Sequence, residues 1–207
     1  MHYLISGLAK SGTTRLFTQL QRAIEGEGRA PETAFEPHED DALKAVLAAP
    51  APTLTKVLIG RVKADSAPVA DFDRHVMIYR DPRDQFLSTL LYFFYDFQVN
   101  GDLAGYGAAL AALEAEVAEP EGVSTIDLYG DVAKLAGRAP IGVFRRLHAI
   151  QNEFERAFGP FRLRYESLVD GKGEGNGGGN GDGLDALENY LGLTIENDAV
   201  QVPESYV

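Results

Sequence analysis

The spacing of apolar residues along the chain switches repeatedly between the short period of a strand and the longer period of a helix. Residues 2–6 (HYLIS) form a brief apolar run and predict a buried strand, followed by a glycine-bearing loop from Gly7 to Gly12. A helix is expected from Thr13, because Leu16, Leu20 and Ile24 recur every four residues and share one face. Residues 26–33 (GEGRAPET) read as a loop. A second helix is predicted over Asp40 to Ala48, stopped by Pro50 and Pro52. TLTKVLI (53–59) and HVMIY (75–79) read as strands. Pro82 stands where a first helical turn tolerates proline, and the apolar run after it predicts a long helix through residues 84–98.

Further along, residues 103–119 read as a surface helix ended by Pro120. Val143, Leu147, Ile150, Phe154 and Phe158 predict a helix over 141–158, and FRLRY (161–165) reads as a short alternating strand. In residues 170–183, eight of fourteen positions are glycine, so ordering them costs entropy and supplies no core; a flexible surface loop is expected. A short helix, LDALENYLGL, and a tail follow. Strands alternating with helices predict an α/β fold with a mostly parallel central sheet flanked by helices, in a single domain of residues 1–207.

Composition narrows the chemistry. The chain has no cysteine, which removes disulfides, thiolate metal sites and thiol catalysis, and four scattered histidines make a buried all-protein metal site an unexpected feature. Nineteen Lys and Arg stand against 31 Asp and Glu, a formal charge of −12. That balance argues against a general nucleic-acid binder, and it makes any local cluster of cations more informative. No run of 18 apolar residues predicts a membrane span, and the first residues lack the basic flank of a signal peptide, so the expected location is the cytoplasm.

The segment Gly7-Leu8-Ala9-Lys10-Ser11-Gly12-Thr13-Thr14 lies between a predicted strand and a predicted helix. That context suits a phosphate-binding loop, in which backbone N–H groups and a helix N-terminus converge on an anion. The spacing approaches GxxxxGK[ST] of kinase-type loops, but Thr13 stands where their lysine would be and the lysine is inside the loop, at Lys10. A tight strand–turn–helix corner is the alternative reading of these glycines.

The run AKSGTT resembles the PKSGTT loop of sulfotransferases that use 3′-phosphoadenosine 5′-phosphosulfate (PAPS), most closely of their bacterial-type members. The resemblance implies that Lys10, Ser11, Gly12, Thr13 and Thr14 hold the 5′-phosphosulfate. A second segment, Tyr79-Arg80-Asp81-Pro82-Arg83-Asp84, is similar to the family's 3′-phosphate motif, with a serine eight residues after the first arginine; it implies Arg80 and Ser88 as ligands. Arg80 is presented after a strand end, the edge at which open α/β sheets bind ligands, and its planar fork suits a dianion. A salt bridge to Asp81 or Asp84 is the alternative role for Arg80. A third segment, Arg164-Tyr165-Glu166-Ser167-Leu168, resembles the family's "YEDL" and implies Tyr165 beside the adenosine; a core tyrosine is the alternative.

The family's basic glycine loop of the type RxGxxGxW has no counterpart, as the sequence contains no tryptophan. Arg138, Arg145 and Arg146 are candidates to replace it, against an alternative as solvated helix charges. Sulfuryl transfer needs a general base for the acceptor hydroxyl and a cation near the bridging oxygen of the leaving group. Lys10 can serve as the cation, with Lys56 assisting. The K-T-H triplet of cytosolic members is matched only by Thr55-Lys56-Val57, without the histidine. Ala34-Phe35-Glu36-Pro37-His38 is similar to the "FEP" of carbohydrate members, which implies Glu36 as the base with His38 in reserve; an exposed loop carboxylate is the alternative for Glu36. The expected reaction is transfer of a sulfuryl group from PAPS to the hydroxyl of a small-molecule or carbohydrate acceptor, without a metal. The alternatives are a small P-loop kinase using Mg-ATP and a nucleotide-binding protein that has lost catalysis.

Overall fold

A computed structural model of the chain describes residues 1–119, 122, 124–138, 141–170 and 183–196. The contacts group them into two compact units: residues 1–80 with the described residues from Ile150 onward, and Asp81–Ala149. Among the described residues no helix is long and apolar enough to cross a membrane.

The first unit carries a five-stranded sheet of β1 (His2–Gly7), β2 (Glu32–Phe35), β3 (Thr53–Leu58), β4 (Arg74–Tyr79) and β5 (Phe161–Arg164). The spatial order is β2-β3-β1-β4-β5 and every pairing is parallel. This is the α/β architecture that the alternation of elements predicts. Ile5 lies opposite Lys56 on one side and Val76 on the other, so the three central strands are in close register.

One face of the sheet presents Tyr3, Ile5, Leu54, Val76, Ile78 and Leu163. Against it lie helix α1 (Thr13–Gly26), through Leu16, Phe17, Leu20 and Ile24, and helix α8 (Leu184–Leu191), through Leu184, Leu187 and Leu191. The four-residue spacing seen in the sequence is thus the buried stripe of α1. The opposite face presents His75, whose ring meets Phe154 edge-on at 5.8 Å and Phe158 at a tilt at 6.3 Å, both from the last turns of helix α6 (Ile141–Phe158). Helix α2 (Asp40–Ala48) has the predicted bounds and buries Leu43.

The second unit is helical. Helix α3 (Pro82–Val99) begins at the expected proline, and Asp81 caps it by accepting from the Arg83 backbone N–H at 2.8 Å. Helices α4 (Leu103–Ala118) and α5 (Thr125–Leu135) pack with α3 around Leu90, Phe93, Phe97, Ala109, Leu128, Tyr129 and Val132.

Three elements depart from the expectation. β2 falls partly in the segment read as a loop; it is a four-residue edge strand, three of whose residues are exposed, so burial leaves no period-2 signature. α5 is absent from the sequence reading although Ser124 caps it, accepting from the Ile126 N–H at 3.3 Å. The strand read as 161–165 stops at Arg164, and Tyr165 opens helix α7 (Tyr165–Asp170). The glycine-rich segment expected to be flexible and the tail lie, apart from their ends, outside the described residues.

Candidate functional site

Because all five strands are parallel, their C-terminal ends share one edge of the sheet. The connection from β1 leads toward β2, whereas β4 is followed in the sheet by β5 on the opposite side. Adjacent strands whose connections leave in opposite directions open a crevice at their C-terminal ends, the usual ligand position in open α/β sheets. The segment after β1 is the Gly7–Thr14 loop, and the residue after β4 is Arg80.

The loop turns sharply. Lys10 has φ 65° and Gly12 has φ 99°, both in the left-handed region. Gly7 is required by space: a Cβ there would lie 2.6 Å from Ser11 Oγ and 2.7 Å from the Ile78 carbonyl. The Ser11 hydroxyl is buried and donates to the Leu8 carbonyl at 2.7 Å, and the Ser11 N–H reaches the same oxygen at 3.2 Å. Ser11 therefore braces the loop from inside. Thr13 is also buried, whereas Thr14 is exposed. Helix α1 starts with Gly12 as its N-cap, without a capping side chain and without an acidic residue in its first turn. A helix start so arranged leaves its partial positive charge unanswered from within the helix.

Arg80 and Tyr165 close on this loop. The Arg80 guanidinium lies 4.5 Å over the Tyr165 ring, and its Nη1 reaches the Lys10 carbonyl at 3.5 Å. Tyr165 in turn packs on Gly12, where any Cβ would overlap its ring. Three segments far apart in sequence, the loop after β1, the residue after β4 and the residue after β5, thus meet in one place. Arg80 Nε is buried with no hydrogen-bond partner among the described residues, and so is Nε of Arg15 in the first turn of α1. Buried guanidinium N–H groups without partners are costly, and an anion would satisfy them.

A second cluster sits at the ends of β2 and β3. Lys56 is on β3 with its side chain only 3% exposed. Its Nζ donates to Glu36 Oε1 at 2.7 Å and to Thr14 Oγ1 at 3.0 Å, and lies 3.8 Å over the Phe35 ring. Arg61 Nη1 donates to the other oxygen of Glu36, Oε2, at 3.0 Å. Glu36 follows β2 directly, and its φ of 58° is a left-handed conformation that a glutamate rarely adopts. Sequence reasoning singled out Lys56 and Glu36 separately; it missed Arg61 and Arg15. The positive φ of Glu36 has no signature in sequence, since glycine or asparagine is the usual residue for it.

The remaining candidates are more dispersed. His38 is exposed and 3.5 Å from Glu39 Oε1. It helps to line an open cleft of about 390 Å³ together with Phe35, Glu36, Pro37 and Val46. Ser88 is half-buried on α3 in the second unit. Asp81, named as a possible partner for Arg80, is bound by Arg83, whose Nη2 reaches Oδ2 at 2.9 Å; these bonds lower its carboxyl to about 2. Of the arginines considered as lid substitutes, Arg138 is paired with Asp96, and Arg145 and Arg146 are exposed on α6. No family model, no curated protein and no solved structure matches this chain.

Proposed function

We propose that this chain is a sulfotransferase that transfers a sulfuryl group from PAPS to an acceptor hydroxyl. One observation carries the reading: Lys10, Gly12, Arg80 and Tyr165 meet beyond the C-terminal ends of β1 and β4, beside a buried lysine, in a chain whose net charge is −12. A site for one phosphate needs only the loop. A second cation at a separate strand end, stacked on an aromatic ring and with an N–H unsatisfied among the described residues, supports a nucleotide carrying a second phosphate.

PAPS supplies, when bound, a sulfur atom whose bond to the bridging oxygen breaks as the acceptor oxygen attacks in line, leaving adenosine 3′,5′-bisphosphate. In this reading the backbone of Gly12–Thr14 at the start of α1 and the Thr14 hydroxyl orient the 5′-phosphosulfate. The Lys10 and Lys56 ammonium groups neutralise charge that grows on the bridging oxygen, an effect worth several kcal/mol where such groups are preorganised. Arg80, its guanidinium over the Tyr165 ring, holds the 3′-phosphate, and Tyr165 lies beside the adenosine. Glu36, open to solvent on the side of the cleft it shares with His38, takes the acceptor proton. Ser11 supports the loop from below rather than touching the nucleotide.

A second reading, nucleotide binding without transfer, is favoured by a single observation: both oxygens of Glu36 are engaged by cations. One experiment separates these from a Mg-ATP kinase. Thermal shift with adenosine 3′,5′-bisphosphate is expected to exceed that with AMP, without Mg²⁺, and ligand at 100 times its Kd adds about 2.7 kcal/mol. Equal shifts for the bisphosphate and AMP, or a shift only with Mg-ATP, would overturn the PAPS reading. Transfer from radiolabelled PAPS to a panel of hydroxyl acceptors then distinguishes the enzyme from the binding protein.

A further inference from the structure

Lys56 is the most deeply buried cation of the site, and its ammonium donates to two oxygens at once. Its Nζ is 2.7 Å from Glu36 Oε1 and 3.0 Å from Thr14 Oγ1, the last hydroxyl of the phosphate loop. A buried ammonium cannot stand without an anion, because desolvating it costs several kcal/mol. Glu36 supplies that anion, and it is held in place for the purpose by Arg61 on Oε2 and by a backbone with φ 58°.

From this geometry we infer that Glu36 is an internal competitor for the phosphate loop: it holds Lys56 while the loop is empty and yields it to an anion bound beside Thr14. The inference rests on the reading of the loop as an anion site and adds how that site is coupled to the base. Thr14 marks the route, since a lysine already bonded to the loop hydroxyl needs only a small rotation to leave Oε1. Once it leaves, Oε2 remains with Arg61, so the carboxylate keeps its position while Oε1 becomes free to accept the proton of an acceptor hydroxyl. Base and donor site are thereby linked: Glu36 is released only when the loop is loaded.

The exchange makes a prediction opposite to that of a carboxylate that touches only the acceptor. Glu36→Gln removes the competitor and is expected to tighten anion binding about tenfold, whereas Lys56→Met weakens it. Removing any negative charge from the site also favours anions through the field alone, so the decisive measurement is a double-mutant cycle. Calorimetric titration with inorganic pyrophosphate, and in parallel with adenosine 3′,5′-bisphosphate, is run on the wild-type chain, Glu36→Gln, Lys56→Met and the double variant. The gain from Glu36→Gln is expected to vanish, to within twofold, in the Lys56→Met background. An equal gain in both backgrounds, or no gain at all, would overturn the exchange.

A measurement on the wild-type chain covers the case in which Lys56→Met does not fold. With glutamate labelled at the carboxyl carbon, the Glu36 resonance, identified by its loss in Glu36→Gln, is expected to move on saturation with pyrophosphate. A resonance that stays fixed at saturation would refute the inference. The two readings fail separately. Pyrophosphate binding with a positive cycle, but no preference for the bisphosphate over AMP, removes PAPS and keeps the exchange. A strong preference for the bisphosphate with a null cycle does the reverse. Absence of binding by either anion would remove both.

Discussion

His75 is expected to set the acid limit of this fold. It lies on β4 with its ring buried between β1 and α6, Nε2 2.8 Å from Ser6 Oγ and the rings of Phe154 and Phe158 around it. Its backbone N–H donates to the Tyr190 hydroxyl at 3.1 Å. Burial pushes the imidazole down from 6.5 to about 4. The folded state therefore prefers the neutral ring, while the unfolded chain protonates near 6.5. The stability this contributes is present in full above 6.5 and is lost as pH falls from there toward 4; below 4 no more is lost. A separation of about 2.5 pH units corresponds to about 3 kcal/mol in all, with about 2 kcal/mol already gone at pH 5. Against a typical net stability of about 5–15 kcal/mol the loss is large.

The strain falls beneath the candidate site, because Ser6 precedes Gly7 and the Ser6–His75 contact ties β1 to β4, the strands that carry the loop and Arg80. Urea unfolding of the wild-type chain and of His75→Gln, at several pH values between 7.5 and 4.5, isolates this term. The many carboxylates titrate in both proteins, and so does His148, whose burial also lowers it. Only the difference between the two chains belongs to His75. That difference is expected to shrink by about 2 kcal/mol between pH 7.5 and 5. A difference independent of pH, or a His75 resonance titrating near 6.5, would refute the reasoning.

Two further outcomes concern the site directly. Arg80→Ala is expected to weaken adenosine 3′,5′-bisphosphate by about 2–5 kcal/mol in calorimetry, and AMP hardly at all. Arg80→Lys is expected to restore little, since a lysine neither stacks on Tyr165 nor forks; equal losses for both nucleotides would make Arg80 structural. Gly12→Ala places a Cβ in the Tyr165 ring at a φ of 99°. The left-handed backbone alone costs about 1–2 kcal/mol, and the displaced ring disturbs Arg80, so both melting temperature and bisphosphate affinity are expected to fall; an unchanged melting temperature would show that the loop relaxes freely.

Much of the order of elements is legible in the sequence because it depends on local periodicity. The stripe Leu16–Leu20–Ile24 specifies α1 wherever that helix docks, and Pro82 starts α3 by fixing its own φ. The apolar runs of β1, β3 and β4 announce strands buried on both faces, and hence a parallel sheet. β2 escapes detection for the complementary reason: an edge strand largely exposed, held through backbone pairing with β3, writes no burial pattern into its residues. Of the loop glycines only Gly12 could be read in place, through the left-handed turn its φ of 99° makes; the space that Gly7 leaves for the Ile78 carbonyl and Gly12 for the Tyr165 ring is set by distant segments.

Tertiary structure alone decided which strand ends became neighbours. Tyr165 reaches Gly12 and Arg80 because β5 pairs with β4 and β4 with β1, a chain of non-local hydrogen bonds that no window of sequence contains. It also turned Ser11 inward, where a motif would have placed it among the ligands. Lys56 and Arg61, Glu36, and Thr14 come from three separate stretches of the chain, and nothing in the sequence pairs them. Their meaning arises from burial: only inside the fold does the Lys56 ammonium lose water and require the carboxylate of Glu36, with Arg61 and Thr14 gathered around the pair.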